Sequence, residues 1–331
     1  MHFQPRVIVK AFRIKPYEYW PYWLFYAPFV LYWILRSIQS SSFSYFCKVN
    51  PGIEFGGFLD YSKFDLLDQL PNEFKPQTIL IQNKDEFVNS FDFPFIVKPN
   101  FGERGVNVEL IQSEMDWENY SFNENIIIQE FIDLPLEFGV FYVREPDHDK
   151  GEILSITGKE FLVFKSDGKT TLEEFVLNHP RTATRVDYLK NKFKDQWRIL
   201  LPKGEEILLE PIGNHNRGTR FYDASDLITK ELSDTMDKLS KHLNGFYYGR
   251  FDVKSESIDA FQKGNLVVLE VNGANSEPTH IYDQKFNLIQ AYREIKSHLD
   301  YQYKISKLHS KTHRPKDFYK AIWKRISRKF K

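Results

Sequence analysis

The chain has 331 residues, 42% of them hydrophobic and 27% charged, which is enough for a sizeable core built as two or three structural units. Its 45 basic and 45 acidic residues cancel, which argues against bulk nucleic-acid binding. The single cysteine, Cys47, excludes an internal disulfide framework and points to a reducing compartment; Cys47 itself reads as packing.

Residues 17–38 read YEYWPYWLFYAPFVLYWILRSI, with no charge from Tyr19 to Leu35. The run falls short of the about 20 apolar residues that a membrane span needs. Pro21 and Pro28 are expected to break or kink it. No small-residue cleavage motif follows, so no signal peptide is expected. Trp and Tyr favour the membrane–water boundary. Three readings stay open: a helix buried on the main domain, an interfacial membrane element, and a span. Turn chemistry at Asn50-Pro51-Gly52 and Gly56-Gly57 leads into a helix at Ser62–Leu70 that stops at Pro71, then a short strand at Thr78–Ile81.

Phe95–Lys98 reads as a strand running into Gly102-Glu103-Arg104-Gly105, with a second strand at Val106–Ile111. Glycines let backbone N–H groups approach phosphate oxygens, and Lys98 adds a point charge. Alone, such a hairpin is most often a turn. Ile126–Phe131 is an apolar strand whose end, Gln129-Glu130-Phe131-Ile132, suits an adenine slot: apolar walls beside backbone donors and acceptors. Glu137 can accept two ribose hydroxyls. The competing reading is two edge-of-strand carboxylates in solvent.

Lys159 lies on a later strand and is a candidate for a second phosphate or acyl-phosphate contact. The turn Ser166–Leu172 starts a helix with Thr170 as N-cap and Glu173 and Glu174 in its first turn. The loop Gly213–Thr219 is polar. Arg217 there can hold a substrate carboxylate bidentately, against the alternative of an exposed loop arginine. His215 reads as a loop hydrogen bonder.

Two strands follow, around Arg250-Phe251-Asp252-Val253 and Leu266–Asn272. Period-two alternation puts Arg250 beside Asp252, and Leu266, Val268, Glu270 and Asn272 on one face. If the strands pair, Asp252, Glu270 and Asn272 converge as oxygen donors for a hard cation, with Arg250 next to them to stabilise phosphate charge. The bland reading is a surface salt bridge. After Asn272, Glu277 and His280 are candidates to face a substrate.

Arg250-x-Asp252 followed by Leu269-Glu270-Val271-Asn272 resembles the metal-binding end of the ATP-grasp superfamily, whose familiar members include D-alanine–D-alanine ligases and the ligase modules of cyanophycin synthetases. Lys98-Pro99 with the glycine hairpin, the Glu130–Glu137 spacing, and the turn at Ser166–Leu172 resemble further motifs of that superfamily, in its order. The resemblance implies an α/β fold of two α+β subdomains gripping ATP. It implies Lys98 and the loop Gly102, Glu103, Arg104, Gly105 on the phosphates, and Gln129, Glu130, Phe131, Ile132 and Glu137 on the nucleoside. It implies Asp252, Glu270 and Asn272 on Mg2+ (two ions, with Mn2+ as substitute), and Arg250, Lys159 and Arg217 as catalytic groups. The expected reaction is carboxylate–amine ligation through an acyl phosphate, with small-molecule or lipid-linked acid and amine as substrates. The alternatives are an ATP-dependent phosphotransferase and a non-catalytic nucleotide-binding module. The region normally preceding such a core is short here.

The expected layout is an aromatic-rich region at 1–60, the ATP-grasp domain at 61–300, and a basic tail at 301–331. In the tail Phe318, Ile322, Ile326 and Phe330 recur every four positions among lysines and arginines. That stripe either docks on the protein's own core or rests on an anionic membrane. The expected place is the cytoplasm, peripheral on the inner membrane face, without nucleic-acid binding; the sequence gives no oligomeric state.

Overall fold

The computed structural model describes residues 16–84, 87, 91–102, 105–121, 124–182, 185–213, 217–309 and 315–329. Strands β1 (Thr78–Ile81), β2 (Phe95–Pro99), β3 (Glu109–Ile111) and β4 (Ile126–Glu130) form one antiparallel sheet in the order β1-β4-β2-β3. β5 (Leu136–Val143) and β6 (Glu152–Glu160) belong to a second sheet. β7 (Val163–Lys165) pairs with β8 (Glu206–Leu208) as a separate ribbon. β9 (Arg220–Asp223), β10 (Tyr248–Ser255) and β11 (Val267–Asn272) complete the second sheet, ordered β11-β10-β5-β6-β9. The helices are α1 (Tyr22–Gln39), α2 (Lys63–Asp68), α3 (Glu114–Asn119), α4 (Leu172–Asn178), α5 (Val186–Lys192), α6 (Lys230–His242), α7 (Ile258–Gln262), α8 (Leu288–Leu308) and α9 (Pro315–Lys329). The expected class, mixed α/β with two α+β halves, is the one observed.

Each sheet is apolar on one face, as antiparallel sheets with a solvated side are. In the first, Phe95, Val97, Ile126 and Ile128 are buried together with Ile111 and Tyr120. In the second, Phe138, Val140, Tyr142, Phe251 and Val253 are buried against Leu232, Met236 and Leu239 of α6. The opposite faces carry the polar residues, which line one cavity, and in the second sheet also Phe141 and Val143, which pack in a further cluster.

Several expectations shift. α1 forms in spite of its prolines: Pro21 precedes the first turn, and Pro28, inside the helix, forfeits only the bond to the Leu24 carbonyl. Helix α4 is capped by Thr171, not Thr170. Thr171 Oγ1 accepts from the Glu174 amide and the Glu174 carboxylate accepts from Thr171 N, a capping box. Thr170 is diverted because its amide donates to Asp167 at 2.7 Å. The strand after the glycine hairpin starts at Glu109 instead of Val106.

The ends of the chain share the cores of the middle. Phe25 packs with Tyr17, Tyr282, Ala291 and Ile295, so one face of α1 lies on α8. Trp33, Tyr45, Phe46, Phe141, Ile305 and Phe318 meet in another cluster, which brings α1, β5, α8 and α9 together. Cys47 is buried there, and burial pushes its thiol well up, as expected of a packing cysteine. The loop before α2 runs against the end of β11: Ala274 and Asn275 amides donate to the Gly56 and Gly57 carbonyls at 3.1 and 3.2 Å. A Cβ on Gly57 would lie 2.6 Å from Gly273 Cα, so only glycine fits at this approach. No described helix is long and apolar enough to cross a membrane. The described part of the tail is helical; Phe318 is buried, Trp323 is 74% exposed, and Phe330 and the Ile326 side chain lie outside the described residues.

Candidate active site

The polar face of the second sheet is built by strand register. Asp252 pairs across to Gly139 of β5, and Lys254 to Glu137. Glu137 in turn pairs with Lys159 of β6. Lys254, Glu137 and Lys159 thus form one cross-strand row, and Lys159 Nζ donates to Glu137 Oε1 at 2.6 Å and lies 3.8 Å from Asp252 Oδ1. Gly139 leaves room for this: a Cβ there would sit 3.0 Å from Arg250 Cδ and 3.3 Å from Asp252 Oδ1. Arg250 lies over the gap and grips Asp252 with both Nε and Nη2, at 2.8 and 3.1 Å.

β10 and β11 pair as the motif required, with Asp252 opposite Glu270 and Arg250 opposite Asn272. Strict alternation on β11 fails, however. A bulge between Asp252 and Val253 shifts the register, so Val268 and Val271 are buried while Glu270 and Asn272 face the cavity. Val268 therefore does not share the Glu270 face. The irregularity also frees the Leu269 carbonyl, which accepts from Lys98 Nζ at 3.1 Å and Gln129 Nε2 at 3.3 Å. The first sheet is tied to the second through that carbonyl.

Cations surround the carboxylates. Lys63, at the start of α2, lies 2.8 Å from Glu270 Oε1. Burial disfavours the ionised form of Asp252, but Arg250 and then Lys159 outweigh it and hold its carboxyl below the ordinary value. For Glu270 the same contest is won by Lys63 and Lys98. Lys63, Lys98, Lys159, Arg250 and Lys254 bring five formal positive charges to the cavity, around Glu137, Asp252 and Glu270, while Glu18, Glu130 and Glu277 line it elsewhere. Such a cluster suits a polyanion brought in with a divalent cation. The oxygens of Asp252, Glu270 and Asn272 are the hard donors that Mg2+ takes. The Lys63 ammonium already stands as a cation against one of them, so the residues present fit such an ion.

Lys98 is buried and donates to Gln129 Oε1 at 2.9 Å. Burial lowers its pKa to about 8, partly offset by Glu270. A phosphate bound beside it raises that value again, so nucleotide binding at pH 8 should take up protons. Calorimetry in buffers of different ionisation enthalpy should show this uptake for the wild type and lose it in Lys98→Met. Uptake that survives the substitution places the titrating group elsewhere.

The other expected residues fall as follows. Gly102, Gly105, Gln129, Glu130, Phe131, Ile132 and Glu137 all line the cavity, which has a volume of about 810 Å3. Glu130 is exposed, and its carboxylate accepts from the Gln77 amide at 3.1 Å. The Ile132 carbonyl accepts from Lys254 Nζ at 2.8 Å. Glu103, Arg104 and His215 lie outside the described residues. Arg217 is tied to the glycine hairpin: Nη2 donates to the carbonyls of Gly105 and Val108 at 2.9 and 3.1 Å, and Nη1 lies 3.4 Å from Glu210. Its guanidinium thus steadies the hairpin from below. Glu277 lines the cavity, whereas His280 does not; it is buried against Phe286 with Nε2 3.8 Å from Glu294 of α8.

Sequence reasoning missed Lys254, Lys63 and Glu18. Lys254 was within reach, since it continues the Arg250, Asp252 alternation. Lys63 and Glu18 come to the cavity by long-range packing, and nothing in their spacing signals it. Glu18 is buried and held by Arg181, with Nη1 and Nη2 at 2.8 and 3.1 Å from its two oxygens.

No family model and no curated protein matches the chain. A bifunctional glutathione synthetase from Pasteurella multocida aligns at TM-score 0.38 and 14% identity, over 74% of this chain and 38% of that one. A D-alanine–D-alanine ligase from Bacillus anthracis aligns at 0.39 and 17%, over 70% and 62%. VanG D-Ala:D-Ser ligase from Enterococcus faecalis aligns at 0.40 and 12%, over 74% and 61%. The aligned part spans less than two thirds of each of these proteins. At these scores and identities the site's own residues carry the functional reading. What the chain resembles, in its motifs and among solved structures, is the ATP-grasp ligases.

Proposed function

We propose that the chain is an ATP-dependent carboxylate–amine ligase working through an acyl phosphate. The observation that carries this reading is the cross-strand pair Asp252–Glu270, flanked by Arg250, Lys159, Lys63 and Lys98 in one cavity. In the first step a carboxylate oxygen of the acid forms a bond to the γ-phosphorus of ATP, and ADP leaves with the electron pair of the broken P–O bond. In the second the amine nitrogen attacks the acyl carbon, phosphate leaves, and the nitrogen loses a proton. Positioning and charge carry both steps, so no nucleophilic side chain is required. Lys98, Lys159 and Arg250 neutralise the transferring phosphate, with the backbone at Gly102 and Gly105 over it. Gln129 to Ile132 hold the adenine and Glu137 the ribose; Arg217, tied to the hairpin carbonyls and Glu210 and not lining the cavity, does not hold the acid's carboxylate as expected. Asp252, Glu270 and Asn272 would hold Mg2+, or Mn2+ in its place, whose charge would offset that of the phosphates.

The test is product analysis by mass spectrometry after incubation with ATP, Mg2+ and pools of acids and amines. An amide with ADP and phosphate supports ligation. A stable phosphorylated acceptor makes the chain a phosphotransferase, and bound nucleotide without turnover leaves a binding module.

We further propose a cytoplasmic enzyme resting on an anionic membrane, where a lipid-linked acid or amine meets the cavity. Two features support this. The outward face of α1 carries Trp23, Leu24, Val30, Leu31, Leu35 and Ile38, all exposed and none charged; Trp23 is 72% and Leu31 77% exposed. α9 adjoins it through the cluster of Trp33, Phe318 and Ile322, and its sequence holds Lys316, Lys320, Lys324, Arg325, Arg328 and Lys329 against Asp317 alone. Each basic residue near an anionic surface contributes about 1 kcal/mol, and two interfacial signals hold better than one. The full chain should cosediment with anionic vesicles at low salt and much less with neutral ones, and a chain truncated after Lys304 should lose most of that binding. Equal recovery of both chains in the supernatant with anionic lipid overturns the idea.

A further inference from the structure

One side of the cavity takes no part in the chemistry assigned above. Beyond Arg250 it is walled by Tyr17, Trp20, Phe25 and Tyr26 of the N-terminal segment, and by Ile295 and Leu299 of α8. Glu277 projects into this apolar compartment. Its Oε1 accepts from Tyr26 Oη at 2.5 Å and from Tyr282 Oη at 3.0 Å. Burial, and then the charge of Glu277, keep both phenols protonated, so they can only donate to it.

The Glu130 carboxylate, at the exposed rim, bonds only to the Gln77 amide among the described residues; the contrast is with the other, more enclosed acidic groups of the cavity. Glu18 faces Arg181, Glu137 faces Lys159, Asp252 faces Arg250, and Glu270 faces Lys63. Among the described residues no Lys or Arg side chain pairs with the Glu277 carboxylate. Arg250 bonds to the backbone carbonyl of Glu277, through Nη1 at 3.2 Å, and feels the charge of the carboxylate without pairing with it. A carboxylate fixed by two phenols, set in an aromatic chamber and bonded to no cation, is a receptor for a cationic group brought by a ligand. The rings around it add cation–π attraction and an apolar surface. Arg250 spans the two places, with Nε on Asp252 and Nη1 on residue 277, so the chamber opens beside the phosphate-transfer centre.

We propose that Glu277 binds the cationic nitrogen of the amine substrate and accepts the proton that this nitrogen must shed before it attacks, and that the substrate is a primary amine whose aromatic or bulky apolar body lies on the Tyr17–Tyr26 wall. This rests on the ligase reading for the word substrate, and on the chamber alone for the binding.

The experiment measures binding to the full chain saturated with Mg2+ and a non-hydrolysable ATP analogue, so turnover is not needed. The probes are phenethylamine, its neutral isostere 2-phenylethanol, the anionic 3-phenylpropionate, and ethylamine. Phenethylamine should bind tightest. Loss of a charge-assisted hydrogen bond should separate it from 2-phenylethanol, and wild type from Glu277→Gln, by about tenfold or more. Tyr282→Phe, which keeps the charge and removes one donor, should give a smaller loss; circular dichroism checks that each variant folds. The proposal is overturned if the amine and the alcohol bind alike, if Glu277→Gln binds phenethylamine as the wild type does, or if no aromatic amine binds in the millimolar range. Amine binding that fails to yield an amide when ATP replaces the analogue and a pool of carboxylic acids is added sinks the ligase reading and leaves the chamber standing.

Discussion

Glu270→Gln should lower kcat by about 100- to 1,000-fold, the range seen when one group is removed from a preorganised electrostatic site. The change is isosteric and keeps an oxygen, but it removes the negative charge that faces Asp252 across the strand pair. It also leaves Lys63 beside Lys98 without its carboxylate partner, so the local field turns more positive where a divalent cation must come in. The fold should survive, since the Glu270 side chain is 22% exposed and packs no core. Steady-state rates over a Mg2+ titration, with circular dichroism as the control, decide the matter. Wild-type turnover with unchanged Mg2+ dependence would remove Glu270 from the metal set.

Glu18→Ala should be the largest change in stability made at a single polar residue. Taking one partner from a buried ion pair costs about 3–5 kcal/mol, because the other charge is left unpaired. Here that charge is Arg181, whose side chain is 12% exposed and would keep only the Thr219 carbonyl, 3.2 Å away. The pair itself stabilises less than its geometry suggests: burial raises the proton affinity of Glu18 more than Arg181 lowers it. Replacing both, as Glu18→Leu with Arg181→Met, should therefore recover most of the loss. The effect should be regional, since the ion pair clamps the segment ahead of α1 to the lobe of α4 and α5. Hydrogen exchange should rise across residues 16–39 and stay low in β5 and β10. Exchange in the single variant matching that of the wild type would mean that aromatic packing alone holds the segment.

Much of the site was legible because strands encode it locally. Arg250, Asp252, Glu270 and Asn272 sit two apart on strands, and a period of two says which face they share. The bulge beside Asp252 was not legible, since it depends on two strands at once. Thr170, the expected cap, and Thr171, the observed one, both stand three residues ahead of a glutamate; Asp167 decides between them by taking the Thr170 amide. Hydrophobicity located α1 but not its partner, because one of its faces meets α8 more than 250 residues later: the Phe25 ring centre lies 5.5 Å from that of Tyr292. Lys63 illustrates the limit. Ser62 marks it as the start of a helix, and only the packing of that helix on β11 carries it to Glu270.

The glycine-to-glycine approach of residues 57 and 273 bears on how this protein can be taken apart. Backbone meets backbone there, Asn50 Nδ2 donates to the Tyr248 carbonyl at 2.8 Å, and Asn50 Oδ1 accepts from the Tyr248 amide. There is thus no seam near residue 60 along which to cut the gene. A fragment beginning there would bare the end of β11 and the aromatic cluster around Phe141, and should be recovered as insoluble material. Supplied with residues 1–60 as a separate peptide, the same fragment should become soluble, so the junction is a place to split the chain into two pieces that report on each other's presence.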